Sequence, residues 1–294
     1  MPKLNLARAQ VNLAMLPAWI IVIVGFVGAM IWTFLISLTD SKLFPVYKFN
    51  FFEQYTRLIK LSAWQVAVEN LVVFGVFFIV ICLVFGFLMA IMMDQRIRGE
   101  SLFRTVFLYP YAMSFVVTGL VWQWVLNPGF GIQATVRGLG FENFAFDWIV
   151  RPDRAIFVLV LAAVWQGSGL VMAIMLAGLR GVDEDLWKAT RIDGIAKWCV
   201  YTSIILPIIA PMAATATVLL SVSVIKAYDL VVALTGGGPG NATEVPAKFV
   251  MENLFSRQNI ALANAGAILM LAAVVCVLVP IYYARRYSAQ KARG

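Results

Sequence analysis

Six stretches of this chain, residues 9–39, 70–93, 105–136, 155–179, 198–225 and 258–284, contain no Asp, Glu, Lys or Arg. Each exceeds the roughly 20 residues that carry a helix across about 30 Å of hydrocarbon. Composition agrees: of 294 residues, 62% are hydrophobic and only 13% charged. A water-soluble domain of this length would expose so much apolar surface at a cost. In lipid the backbone satisfies its own polar groups, so each run is expected to be helical. The expected fold is therefore all-α and integral to the membrane. Six transmembrane helices are placed near 14–38, 71–93, 106–126, 156–177, 205–226 and 260–283, forming one membrane domain over 1–294. The first run is too long for a cleaved signal peptide, and no small-residue cleavage site follows it.

Six spans put both termini on one side, and the distribution of Lys and Arg chooses that side. Segments 1–12, 94–104, 180–204 and 284–294 hold 13 Lys and Arg in 59 residues. Segments 39–68, 127–154 and 226–258 hold 10 in 91. The denser set, with Lys3 and Arg8 in the leader, Arg96, Arg98 and Arg104 in one loop and Arg285, Arg286, Lys291 and Arg293 in the tail, is expected to be cytoplasmic: N-in, C-in. The net charge of +8 is then mostly a topology signal. No basic patch is interleaved with exposed aromatics, so no nucleic acid is expected as a partner; membrane lipid is.

Enzyme chemistry has little to work with. The chain has no histidine, which removes imidazole bases, HExxH-type zinc sites and Cys–His nucleophiles. No GxxxxGK[ST] phosphate loop occurs, and no metal site or cofactor is expected. Cys82 and Cys276 fall within spans and Cys199 in a loop, which gives no disulfide framework. Gly236-Gly237-Gly238-Pro239-Gly240 lacks the Lys-Ser/Thr of a phosphate cradle and reads as a tight turn. Trp122, Trp124 and Trp165 suit the interface belt near span ends. A secondary transporter or channel subunit without an ATPase partner is the alternative, but it needs ionisable groups at mid-span, and the six runs offer none.

The polar segment 183–203, between the fourth and fifth spans, is the informative loop. Asp183, Glu184 and Asp185 stand where they can cap a short helix and complement its dipole. Leu186, Trp187, Ala189 and Thr190 continue it with mixed apolar and polar residues. Asp193-Gly194 interrupts, glycine tolerating a positive φ, and Ile195–Ser203 leads on to Leu206-Pro207. A helix–turn–helix at the membrane surface fits two roles. One is a connector lying in the headgroups; the other is a docking site for a partner.

Lys188-Ala189-Thr190-Arg191-Ile192-Asp193-Gly194, followed a dozen residues later by Leu206-Pro207, resembles the E-A-A-x-x-x-G coupling loop of ABC importer permeases. Leu234-Thr235-Gly236-Gly237-Gly238-Pro239 looks like the T-x-G-G-P segment of maltose-type carbohydrate permeases. Trp122-Gln123-Trp124-Val125-Leu126-Asn127-Pro128-Gly129 agrees with the same family. The resemblance covers the chain from about residue 13. It implies a type I ABC importer permease fold in a bacterial inner membrane. It further implies a homologous second permease subunit, a dimer of ATPase subunits that binds ATP and Mg outside this chain, and an extracytoplasmic sugar-binding protein. The sugar class it suggests is glucose/mannose or α-glucosides. Asp185, Trp187, Lys188, Ala189, Thr190, Asp193 and Gly194 would meet the ATPase. Lys188 departs from the family's Glu, so a salt bridge from that position to a basic ATPase residue cannot form.

Sugar contacts in maltose-type permeases lie on the fourth and fifth spans. The matching positions are near Ala163, Gln166, Gly167 and Leu170, and near Leu220, Ser223, Val224 and Ala227. Gln166 can donate to and accept from hydroxyls; plain helix packing is the other reading of these Gly and Ser residues. Lys226 is costly in lipid and should face a cavity or reach the outer interface. Asp229, three residues on, could pair with it.

Overall fold

A computed structural model describes residues 14–46, 48–95 and 98–291. The basic leader with Lys3 and Arg8, Arg96 and Arg293 lie outside the described residues, as do the side chains of Arg285, Arg286 and Lys291. The described elements are helical apart from one isolated antiparallel bridge, Thr39 to Phe49. They are α1 (Ala14–Ser37), α2 (Glu53–Lys60), α3 (Ser62–Asp94), α4 (Glu100–Ala112), α5 (Phe115–Val125), α6 (Ile132–Gly138), α7 (Ala155–Arg180), α8 (Glu184–Ile192), α9 (Lys197–Ile208), α10 (Ala210–Ile225), α11 (Tyr228–Leu234), α12 (Pro246–Met251) and α13 (Ile260–Lys291).

The chain forms two compact units. The first comprises Met1–Leu61 and Val250–Leu271. In it, α2 begins on Glu53 and ends with Arg57 and Lys60, charges that suit the two poles of the helix. The Ser37 and Tyr55 hydroxyls meet at 2.6 Å, and the Ala261 N–H donates to the Ser41 carbonyl at 2.9 Å.

The second unit, Ser62–Phe249 and Ala272–Gly294, is centred on α7. That helix is 72% buried along its most apolar 18 residues, against 28% for α3. Glycines let neighbours approach it closely, as small residues do at helix contacts in membranes. A Cβ at Gly86 of α3 would stand 2.6 Å from Val171 Cγ1, and one at Gly169 would run into the Phe107 carbonyl of α4.

Among the described residues three helices, α1, α3 and α7, are long and apolar enough to cross a membrane, or up to five spans if each bent pair counts as one. The second span begins earlier than hydropathy alone suggests, because α3 runs from Ser62 rather than from about residue 71. Two spans expected as single helices are broken. Span 106–126 divides at Met113-Ser114, where α4 and α5 meet at 100°. Pro110 lies in the last turn of α4, Met113 and Ser114 are extended, and Ser114 Oγ caps α5 by accepting from the Val117 N–H at 3.2 Å. Span 205–226 divides at Ile209 with a 71° bend. Pro211 has no N–H to give the Pro207 carbonyl and its ring crowds that turn. The region of the sixth expected span, 260–283, lies within α13.

Candidate coupling loop and solute site

Segment 183–203 folds as a helix, a turn and a helix, but the second helix starts at Lys197 rather than Ile195 and runs on through Pro207 to Ile208, so Pro207 does not open a separate span. The Asp183 carboxylate accepts from the Asp185 N–H at 2.9 Å, capping α8, and Glu184 and Asp185 occupy its first turn. Beyond the last turn Gly194 takes a φ of +66°, and the Ile195 N–H reaches back to the Thr190 carbonyl at 3.2 Å. This closes the helix with a left-handed glycine. A Cβ at Gly194 would meet nothing within 4 Å, so backbone conformation, not space, calls for glycine.

The predicted coupling residues divide by exposure. Asp185, Lys188, Ala189, Asp193 and Gly194 are exposed, Trp187 is half-buried, and Thr190 is buried with its hydroxyl donating to the Trp187 carbonyl at 3.0 Å. Lys188 Nζ pairs with Asp185 Oδ1 at 2.8 Å, both groups largely in solvent. The unusual cation is thus matched within the loop. Sequence reasoning passed over three apolar side chains that the turn presents outward: Ile192, 85% exposed, Ile195 and Trp198. The signal was available in Ile192, which sits inside the Ile-Asp-Gly motif.

The loop is fastened to the Asp94 end of α3. Trp187 packs edge-on against Tyr201, ring centroids 5.5 Å apart. The Tyr201 hydroxyl receives a hydrogen bond from Gln95 Nε2 at 3.3 Å. Beside it, Arg180 at the end of α7 pairs with Glu100 at the start of α4, 2.8 Å apart.

The candidate solute residues are placed differently from one another. Gln166 is 4% exposed; its Nε2 donates to the Met113 carbonyl at 2.7 Å, while Oε1 has no protein partner. Gly167 lies against Phe78 and Cys82 of α3, and Val224 against Gly75 of the same helix. Ala227 is buried, and Leu170 and Ser223 are half-buried, the Ser223 hydroxyl donating to the Leu219 carbonyl at 3.2 Å. Lys226 and Asp229 are both exposed and do not pair with each other. The helix breaks between them at Lys226-Ala227, so the i,i+3 relationship that would have brought them together is lost. Trp122 is half-buried and meets Trp165 edge-on at 6.0 Å, its Nε1 buried.

Near Asn70, in the N-terminal third of α3, two segments singled out by sequence come together. Gln123, Asn127 and Pro128 of one and Leu234, Thr235, Gly238 and Pro239 of the other line a groove of about 340 Å³, together with Ile149 and Val150. The glycine-rich turn takes positive φ at Gly236, Gly237 and Gly240. The Thr243 hydroxyl donates to the Gly238 carbonyl at 2.8 Å and meets the Thr235 hydroxyl at 2.7 Å. Lys248 pairs with the buried Glu244 at 2.9 Å. Asn70 Nδ2 donates to the carbonyls of Asn241 and Glu244, each at 3.0 Å. Near the groove, the hydrogen bond from Arg151 holds the Asp147 carboxyl below its usual range.

Residues 82–294 match the family described as the binding-protein-dependent transport system inner membrane component. The chain belongs to that family. It is 34% identical over 275 residues to the xylose/arabinose import permease XacH of Haloferax volcanii, covering 91% of this chain and 86% of the relative. It is 29% identical over 246 residues to the trehalose/maltose permease MalF of Thermococcus litoralis, covering 82% of each. The fold matches a crystal structure of a bacterial ABC transporter that imports alginate, with a TM-score of 0.80 at 17% identity and 97% of both chains covered. As a member of this family the chain is an inner-membrane ABC permease subunit and not an enzyme, its transport energised by a separate ATPase.

Proposed function

We propose that this ABC permease imports a sugar, pairing with a homologous second permease to form the translocation path for a solute delivered by an extracytoplasmic binding protein. The observation that carries the energy-coupling part is the capped α8 and its Gly194 turn, which holds Ile192 and Trp198 in solvent on a loop anchored to α3. An exposed apolar surface of this kind suits a protein partner, here a dimer of ATPase subunits binding ATP and Mg. The sugar assignment is supported by the Leu234–Pro239 motif and by the named substrates of XacH and MalF. The finer choice is a glucose/mannose or α-glucoside type.

In this reading the chain is one permease domain with six spans and both termini in the cytoplasm. Gln166, Gly167, Leu170, Ser223, Val224, Lys226 and Ala227 are the solute-side residues, and Asp185, Trp187, Lys188, Ala189, Thr190, Asp193 and Gly194 form the ATPase contact. The test is ATP-dependent uptake by the complex purified with its partner subunits and reconstituted with its binding protein. A panel of labelled glucose, mannose, maltose, trehalose, xylose and glycerol 3-phosphate is offered. Saturable uptake of one sugar that requires ATP is the expected result. Uptake that runs without ATP on an ion gradient overturns the ABC reading, and exclusive uptake of glycerol 3-phosphate overturns the sugar.

A further inference from the structure

The helix α3 is unbroken for 33 residues and contains no proline, a length of about 50 Å at 1.5 Å per residue. The α4–α5 and α9–α10 pairs are bent by 100° and 71°, and a helix yields where its hydrogen-bond ladder is interrupted. Two amide side chains, one just past the C-terminal end of α3 and the other eight residues inside its N-terminal end, are fastened to segments distant in sequence. Gln95, one residue past the end of α3, bonds to Tyr201, which packs on Trp187 of the coupling loop. Asn70 clamps the Asn241 and Glu244 carbonyls, just beyond the glycine-rich turn. Between them α3 is keyed into its neighbours at Gly75 on Val224 and Gly86 on Val171.

We propose that α3 is the rod that carries movement of the coupling loop to the 236–245 turn, with Gln95 and Tyr201 as positioning residues at its C-terminal end and Asn70 as the positioning residue two turns inside its N-terminal end. It rests on segment 183–203 being the ATPase contact. The turn lends itself to such control. It is braced within itself, the Thr243 hydroxyl holding the Gly238 carbonyl at 2.8 Å and the Thr235 hydroxyl at 2.7 Å and the Thr243 N–H reaching the Gly237 carbonyl at 3.2 Å, so it can move as one piece, and the clamp from Asn70 holds it at Asn241 and Glu244. A displacement of α3 along its axis therefore moves the Asn241 and Glu244 carbonyls with it, and the groove wall formed by Thr235, Gly238 and Pro239 follows. Coupling between distant sites needs a contiguous element that both sites bias, and α3 with these bonds is one.

The test uses the complex purified with its partner subunits in nanodiscs. Hydrogen–deuterium exchange is read in segments 183–203 and 236–245, without nucleotide and after trapping with Mg-ATP and vanadate. In the wild type both segments are expected to change on trapping. Tyr201→Phe removes one hydroxyl and leaves the ring on Trp187; Gln95→Ala removes the same bond from the other side. Both are expected to keep the response at 183–203 while cutting the response at 236–245 at least fivefold, and Asn70→Ala should do the same. Residues about 37 Å apart along a helix ordinarily act additively. The Tyr201→Phe/Asn70→Ala double variant is instead expected to lose no more response than the worse single variant, while the melting-temperature shifts still add. A purely structural role would raise baseline exchange in both states and leave the trapping difference intact. A full response at 236–245 in the single variants, additive losses of response, or a wild-type turn that ignores nucleotide overturns the rod. If 183–203 itself ignores nucleotide in the wild type, the ATPase-contact assignment fails, and the rod with it.

Discussion

The side-chain amide of Gln166 on α7 donates to the main-chain carbonyl of Met113, 2.7 Å away, at the point where α4 gives way to α5 through a 100° bend. A carbonyl released by a broken helix inside a membrane protein has to find a donor, and Gln166 supplies it. Gln166 therefore has a structural task whatever it does for the solute.

Gln166→Leu keeps the volume and deletes the donor. The Met113 carbonyl is then left without this bond, at a cost of about 1–3 kcal/mol. We expect a lower melting temperature of the purified complex together with reduced uptake. Reduced uptake and altered sugar preference with unchanged melting would assign Gln166 to the solute alone.

Gly169→Ala is expected to be far more damaging than Gly25→Ala. The first places a Cβ on the Phe107 main chain, and the second meets nothing within 4 Å. Backbone contacts cannot rotate away, so the strain should reach or exceed about 1–3 kcal/mol. The amount of assembled complex on size-exclusion chromatography reads the difference.

Gly194→Asp should assemble and still fail to couple. Space around Gly194 is open, but the positive φ disfavours any side chain, and a second acid would stand beside Asp193. The ATPase activity of the reconstituted complex is expected to stop responding to loaded binding protein. Normal uptake by this variant refutes the coupling role.

Lys188→Glu reverses the charge at this position and breaks the Lys188–Asp185 pair. That pair is exposed, so stability should change by no more than about 1 kcal/mol. Transport should nonetheless fall at least fivefold, because the new carboxylate would join those of Glu184 and Asp185 and crowd one face with acids. Unchanged uptake would show that position 188 makes no contact of consequence.

A reporter fused after Gly294 is expected to report cytoplasm, and one inserted near Gly240 the exterior. An exterior C-terminus breaks the six-span arrangement.

Much of the helical architecture was legible because charge-free runs are long and lipid forces them into helices. The breaks were not, although Pro110, Ser114 and Pro211 are all visible in the sequence. Hydropathy does not change across Met113-Ser114 or Ile209, and a span count reads hydropathy only. The local shape of segment 183–194 was legible, since the Asp183 cap and the left-handed Gly194 are features decided within a few residues. The partners of Gln166 and Asn70 lie 53 and more than 170 positions away, so only the packed helices bring them together. The Lys226–Asp229 pairing failed for a local reason: it assumed a helix that continues past residue 226.

The contrast between α1, 11% buried along its apolar window, and α7, 72% buried, sets how freely each can diverge. A helix that its own chain leaves uncovered answers first to total hydrophobicity, and many orderings of the same residues satisfy that. A helix enclosed by protein is judged on shape at every position, down to which residues lack a Cβ. Mutational drift should therefore run fast and almost unconstrained through α1 and slowly through α7, so that distant descendants of this chain would be recognised by α7 long after α1 had become unreadable.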